Sequence, residues 1–322
     1  VAARGEVTTA SLPAAHRPRG SGNLRERAWL PAHAGTTASE DAGAIAGNGA
    51  QARFLPDRRL HLNHGPIDLV IEAWGEEDEI RAAYAQAWEV FPGILPGLVG
   101  ELPLLRRPLD AAHPGVEGPT ARRMLAACSP FAEEDFITPM AAVAGAVADE
   151  MLAAMLRGRR LAKAYVNDGG DIALHLASGE RIRAGIVGNV RHPAIDSIAT
   201  IDADSPVRGI ATSGAGGRSF SLGIADAATV LARSAAEADA AATLIANAVD
   251  ADDAAVRRAP ARALDPDSDL GERLVTVEVG ALPRQTIAAA LDRGAERARA
   301  LQRAGRIIAA VLLLQGEVRV VS

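Results

Sequence analysis

With 322 residues and 48% apolar content, the chain can bury a large core, as one big domain or two packed ones. Aromatic residues are only 3% and the net charge is −6, so stacking platforms for single strands and general polyanion binding are not expected, and no nucleic acid partner follows. Cys128 is the only cysteine, which excludes an intrachain disulfide or a cysteine-cluster metal site; Lys163 is the only lysine, which leaves no Gly-Lys-Ser/Thr phosphate loop.

Residues 1–51 are rich in Gly, Ala and Pro without periodicity, and read as a disordered extension before an ordered domain over 52–322. Nothing near Val1 has the apolar core of a signal peptide, and a cytoplasmic protein is the expectation. The longest clean apolar run, 307–314, falls far short of the roughly 20 residues that span a bilayer, so no membrane partner is expected.

Residues 59–62 and 67–73 bracket the turn Asn63-His64-Gly65-Pro66, a β-hairpin signature. The stretch 76–91 is acidic at its start and then places Tyr84, Ala87, Trp88 and Phe91 at helical spacing. Pro92 and Pro96 are expected to end or kink that helix, with a helix resuming toward Leu105 as the alternative to a stop. Further helices are predicted over 119–127 and 138–156, the second opened by Thr138-Pro139 and apolar almost all round, hence central.

Strands follow at 164–167, 171–176 and 181–187, then at 197–201, 207–212 and 227–231. A helix over 235–249, an Arg- and Asp-rich loop, a strand at 273–279, a helix from Pro283 to Arg303 and a hairpin around Gln315-Gly316 complete the chain. Strands, helices and strands thus occur twice over. That order predicts an α+β fold with antiparallel sheet, built from a duplicated two-strand, helix, two-strand unit whose halves meet near 180–205. A dinucleotide fold of alternating βα units is a poor fit, since no G-x-G-x-x-G opens a helix after a strand.

Three stretches could carry chemistry. On the 235–249 helix Asp239, Thr243, Asn247 and the following Asp250 fall within roughly 80° of one another, amid Ala, Leu, Ile and Val. Short oxygen-bearing side chains suit a hard cation or a polar ligand held close. The turn Asn167-Asp168-Gly169-Gly170-Asp171 places two carboxylates and two glycines between strands; taken alone it is a hairpin turn. In the loop 212–218, three glycines, Thr212 and Ser213 let backbone N–H groups converge on an anion with Arg218 beside it, and the same residues equally make a flexible loop. His61, His64, His113, His175 and His192 read as structural, with no His-x-x-x-His pair on a predicted helix. The apolar flanks of Cys128 suit a buried, inert thiol.

Together these segments resemble the ApbE-like superfamily, whose best-known members are FAD:protein FMN transferases, and more narrowly a prokaryotic branch of it. FITPMAAVAGAVADEML (136–152) resembles its Ala-rich metal-contributing segment, and AYVNDGGDIALHL (164–176) its Asn-x-Gly-Gly-Asp strand pair. GIATSG (209–214) is similar to the Ala-Thr-Ser-Gly turn and EADAAAT (237–243) to the Ala-Asp-x-x-x-Thr metal motif. The resemblance implies a T-fold-like architecture, two fused units of antiparallel sheet packed on helices with a planar ligand at their junction. It implies Mg²⁺ at Asp239 and Thr243 with a carbonyl from Ala142 or a neighbour, and FAD or another flavin lined by Asn167, Gly169, Gly170, Asp171, Thr212, Ser213, Gly214 and Arg218.

Two departures count against the transferase activity itself. After the Ala-Thr-Ser-Gly turn the family carries His-x-x-Asp-Pro-x-Thr-Gly, and this chain reads SFSLGIADAATVLA; the lysine of the Ala-rich helix is also missing. Whether the protein is an enzyme therefore stays open at this point. A flavin nucleotide binder with divergent transferase or nucleotide-processing chemistry stands beside a binder of another planar heterocycle, a pterin or purine, as a monomer or homodimer.

Overall fold

The computed structural model describes residues 7–8, 44–45, 48–110, 113, 115–187, 195–217 and 219–322. The extension expected over 1–51 lies largely outside the described residues, as do His192 and Arg218. Within that stretch the short strands β1 (Val7–Thr8) and β2 (Ala44–Ile45) pair with later strands.

The first unit opens with β3 (Gln51–Phe54), β4 (Leu60–His64) and β5 (Ile67–Gly75). Leu60, Leu62, Leu69 and Ile71 are fully covered, while their alternating neighbours face outward, as the period of two requires. Gly65, at φ 57°, forms the tight turn between β4 and β5. Helix α1 (Glu77–Leu105) follows, then α2 (Pro119–Cys128), a 3₁₀ turn at Pro139–Ala142, and α3 (Val143–Leu156). Strands β6 (Leu161–Asp168) and β7 (Asp171–Leu176) close the unit.

Helix α1 does not end at Pro92; it runs on through Pro92, Pro96 and Pro103. Beyond Phe91 the buried stripe continues with Ile94, Leu98 and Leu105, so stopping the helix would expose three large side chains at about 2 kcal/mol each. Pro96 has no N–H for the carbonyl of Pro92, and the Asn48 side chain donates to that carbonyl instead at 2.5 Å.

The second unit repeats the plan. Strands β10 (Gly209–Ser213) and β11 (Ala227–Ala232) precede α4 (Ala235–Ala248). Helix α6 (Arg284–Arg303) leads to β14 (Ala309–Leu314) and β15 (Glu317–Val321). The predicted loop after α4 contains β12 (Val256–Pro260), which pairs with β13 (Leu274–Val279), and a four-residue helix α5 (Ala261–Leu264) between them. Between the units stand β8 (Arg181–Val187) and β9 (Ile195–Asp202), an antiparallel pair flanked by β1.

The two units do not form separate sheets. One ten-stranded sheet runs β15-β14-β11-β10-β7-β6-β5-β4-β3-β2, every neighbouring pair antiparallel, and β7–β10 is the seam. The main core lies on the helical face, where α1, α3, α4 and α6 cover the sheet. Leu174, Ile201, Val207, Ile210, Leu231 and Val311 form a second core that includes β9. The segment Pro139–Leu156 is long and apolar enough to cross a membrane by length and composition, but here it lies among α1, α2, α4 and the sheet as a central helix.

Candidate functional site

Close approach between α3 and α4 organises the site. A Cβ on Gly145 would stand 2.3 Å from the carbonyl oxygen of Ala235, so only glycine lets the two helices meet there. The contact brings both helix N-termini together, and each is capped by a carboxylate from the other helix. Asp149 of α3 accepts from the amides of Ala235 and Ala236 at 3.0 and 2.9 Å, and Asp239 of α4 accepts from the amide of Gly145 at 3.0 Å. Both pairings satisfy orphan N–H groups at a positive helix end.

Asp239 pays for that position in desolvation. Burial, with the charges of Asp168 and Asp149 nearby, pushes its carboxyl up to about 7, against the lowering effect of the Gly145 and Ala144 amides. Burial likewise raises Asp149, opposed chiefly by the Ala236 and Ala235 amides. Burial pushes the Cys128 thiol well up too, consistent with an inert sulfur.

Asp239 opens onto a cavity of about 850 Å³ at the seam. Thr243 and Asn247 line it from the same helix; Asn167, Gly169, Gly170 and Asp171 line it from the β6–β7 turn, and Thr212, Ser213 and Gly214 from the end of β10. Ala142 itself is fully buried, and its neighbours Ala141, Val143 and Ala144 form the wall instead. Segments more than 100 residues apart in the chain thus share one space. Ile137, Met140, Ile210, Phe220 and Leu222 give it apolar sides.

Backbone geometry explains the glycines. Gly169 and Gly170 adopt φ of 62° and 117°, and the amide of Gly170 donates to Asn167 Oδ1 at 2.8 Å, which fixes the turn. Asp171 Oδ1 accepts from the amide of Thr212 at 3.2 Å, tying the two turns across the seam. The Thr212 hydroxyl meets the Thr229 hydroxyl at 2.8 Å. At Gly214 a Cβ would lie 2.5 Å from the carbonyl oxygen of Asp226.

The polar stripe of α4 divides. Asp239 and Thr243 face the cavity, Asn247 both lines it and holds a loop, and Asp250 holds that loop only. Asn247 Oδ1 accepts from the amide of Leu222 at 3.0 Å and from the Ser221 hydroxyl at 3.4 Å. Asp250 pairs with Arg258, whose guanidinium also donates to the carbonyl of Leu222. Gly223 lets this loop lie on the helix, since a Cβ there would stand 2.2 Å from the carbonyl oxygen of Ala246.

Sequence reasoning passed over the far wall. Phe136 and Thr138 line the cavity from one side, Ser268, Asp269 and Leu270 from the other. The Thr138 hydroxyl donates to Asp269 Oδ2 at 2.5 Å, and the Arg273 guanidinium lies 3.3 Å from the centre of the Phe136 ring. The Asp-Pro-Asp-Ser-Asp run at 265–269 was the available signal. A smaller groove of about 410 Å³, lined by Arg53, His61 and Asp68, shares Asn167, Gly169 and Gly170 with the cavity. There Arg53 donates to His61 Nδ1 at 3.1 Å and His61 Nε2 meets Asp68, so His61 keeps a structural place. Among the described residues no cluster of three or more His, Cys, Asp or Glu side chains is placed to hold a metal on its own.

A protein-family model described as AbpE bacteria matches residues 52–320. Among solved structures, the chain is similar to the crystal structure of the ApbE protein from Thermotoga maritima, at 12% identity, covering 81% of this chain and 96% of that one, with a TM-score of 0.38. No curated protein matches the sequence.

Proposed function

The chain belongs to the ApbE-like family, and on that premise we propose that its seam cavity binds FAD or a related flavin nucleotide together with Mg²⁺. The carrying observation is convergence. The turn at 167–171, the turn at 212–214 and the Asp239–Thr243 face of α4 all border one cavity of about 850 Å³, within the usual range for small-molecule sites. The twice-repeated two-strand, helix, two-strand plan supports a T-fold-type arrangement with the ligand at the junction of the units.

The donor set fits a hard divalent cation. Asp239 offers a carboxylate that already holds a proton more tightly than usual because of burial and two neighbouring carboxylates, and Thr243 offers a hydroxyl one turn on. When bound, Mg²⁺ would supply positive charge to a pyrophosphate. The protein's own residues do the rest: Asp239 stays fixed by the Gly145 amide, the Asp171–Thr212 bond holds the turns in register, and Ile210, Met140 and Phe220 keep water from a planar ring.

A second reading, binding of a pterin or purine without transferase chemistry, is favoured by one observation. The loop where transferases carry His and Asp-Pro supplies Ser219, Phe220 and Leu222 to the cavity wall, two of them apolar. One titration separates the readings: FAD is added with and without Mg²⁺, following flavin fluorescence and AMP release. We expect Mg²⁺-dependent binding that Asp239→Ala weakens at least tenfold. Absence of flavin binding, or binding indifferent to both the ion and the substitution, overturns the first reading; release of AMP assigns nucleotide-processing chemistry to it.

A further inference from the structure

We infer that Asn247 is a specificity-determining residue that presents a hydrogen-bond donor to the bound ring, so that the cavity selects heterocycles with a carbonyl or unprotonated ring nitrogen at that edge. The inference rests on the heterocycle-binding reading above and deepens it.

The orientation of the amide follows from its partners. The atom facing Leu222 receives a backbone N–H at 3.0 Å and must be the oxygen, and the Ser221 hydroxyl approaches the same oxygen at 3.4 Å. That assignment leaves Nδ2 and its two hydrogens on the other side. Among the described residues no acceptor lies on Nδ2, and Asn247 lines the cavity, on the stripe it shares with Asp239 and Thr243.

Its surroundings define the ligand edge. Leu222 lies against the amide, and Phe220 and Ile210 are apolar lining residues of the same cavity, so a fixed amide donor on this wall favours an acceptor and disfavours an amino group. An oxo-substituted ring satisfies the donor. A diamino-substituted ring sets donor against donor and leaves both groups unpaired.

A structural role alone would make Asn247 only the clamp of residues 221–222, and truncation to alanine would not separate the two roles. Asn247→Asp does. It keeps an acceptor for the Leu222 amide and the Ser221 hydroxyl but turns the cavity side from donor to acceptor. Lumiflavin, with two ring carbonyls, and 2,4-diaminopteridine, with two amino groups, are titrated by fluorescence at pH 7.5 into the full chain and the variant. Both probes lack phosphate, so the added charge does not act through a ligand anion.

The expected result is that Asn247→Asp lowers the ratio of lumiflavin to diaminopteridine affinity at least tenfold, with cooperative thermal unfolding retained. A loss shared equally by both probes, leaving the ratio within threefold of wild type, overturns the inference while the binding reading stands. If the wild type binds neither probe nor FAD, both fall. If the variant does not unfold cooperatively, Asn247→Ser, whose shorter hydroxyl withdraws the Nδ2 donor from the ring edge, is read against the same criterion.

Discussion

The two units of the sheet share a topology and are packed by opposite means. In the first, α1 presses Tyr84, Trp88 and Phe91 onto the sheet, with the Phe54–Tyr84 and His64–Phe91 ring centres 6.1 and 6.2 Å apart. In the second, the buried face of α4 is mostly alanine, and backbones nearly touch at Gly209 and Gly223. Large side chains hold elements apart and can re-pack, whereas backbone in contact with backbone has nowhere to go. The candidate site takes its Asp239–Thr243 face and one of its turns from this second unit.

Breaking that contrast at its stiffest point gives the largest effect. A Cβ at residue 209 would stand 2.0 Å from the carbonyl oxygen of Ser234, so Gly209→Val is expected to abolish cooperative unfolding, as read by circular dichroism on heating. The aromatic unit should be more forgiving. Phe91→Ala should cost about 3–5 kcal/mol in denaturant melts yet leave ligand affinity within about twofold; loss of binding there would mean the units are not packed independently.

The third effect is smaller and depends on pH. Because the folded-state carboxyl of Asp239 sits at about 7 against an ordinary 3.8, the folded protein binds the proton more tightly, and stability falls as pH rises through that window. Asp239→Asn removes the titration while keeping an acceptor for Gly145. Without divalent ions its melting temperature should therefore gain on wild type by roughly 5 °C between pH 4 and pH 8. A constant difference would show that Asp239 is not held in a desolvated place.

Much of the fold was legible because hydrophobic period and turn chemistry agreed. The alternation in 67–73, the Gly169-Gly170 and Gln315-Gly316 turns and the helix after Pro283 lie where local rules put them. Strand β12 was missed because its partner, β13, lies beyond the intervening loop and its own face carries arginines. In the site, the stripe on α4 was visible but its division was not. Asn247 and Asp250 read like Asp239 and Thr243 until the loop at 221–223 is folded against them.

The crossed caps between α3 and α4 have a consequence for signalling within the molecule. Helix α3 belongs to the first unit and α4 to the second, and the Asp239 carboxylate that faces the cavity is also the acceptor for the Gly145 amide. A proton or cation arriving at Asp239 withdraws electron density from that same acceptor. The Gly145 amide is thus expected to act as a gauge of the cavity: its chemical shift and exchange rate should change when a ligand or ion occupies Asp239, without any label on the ligand.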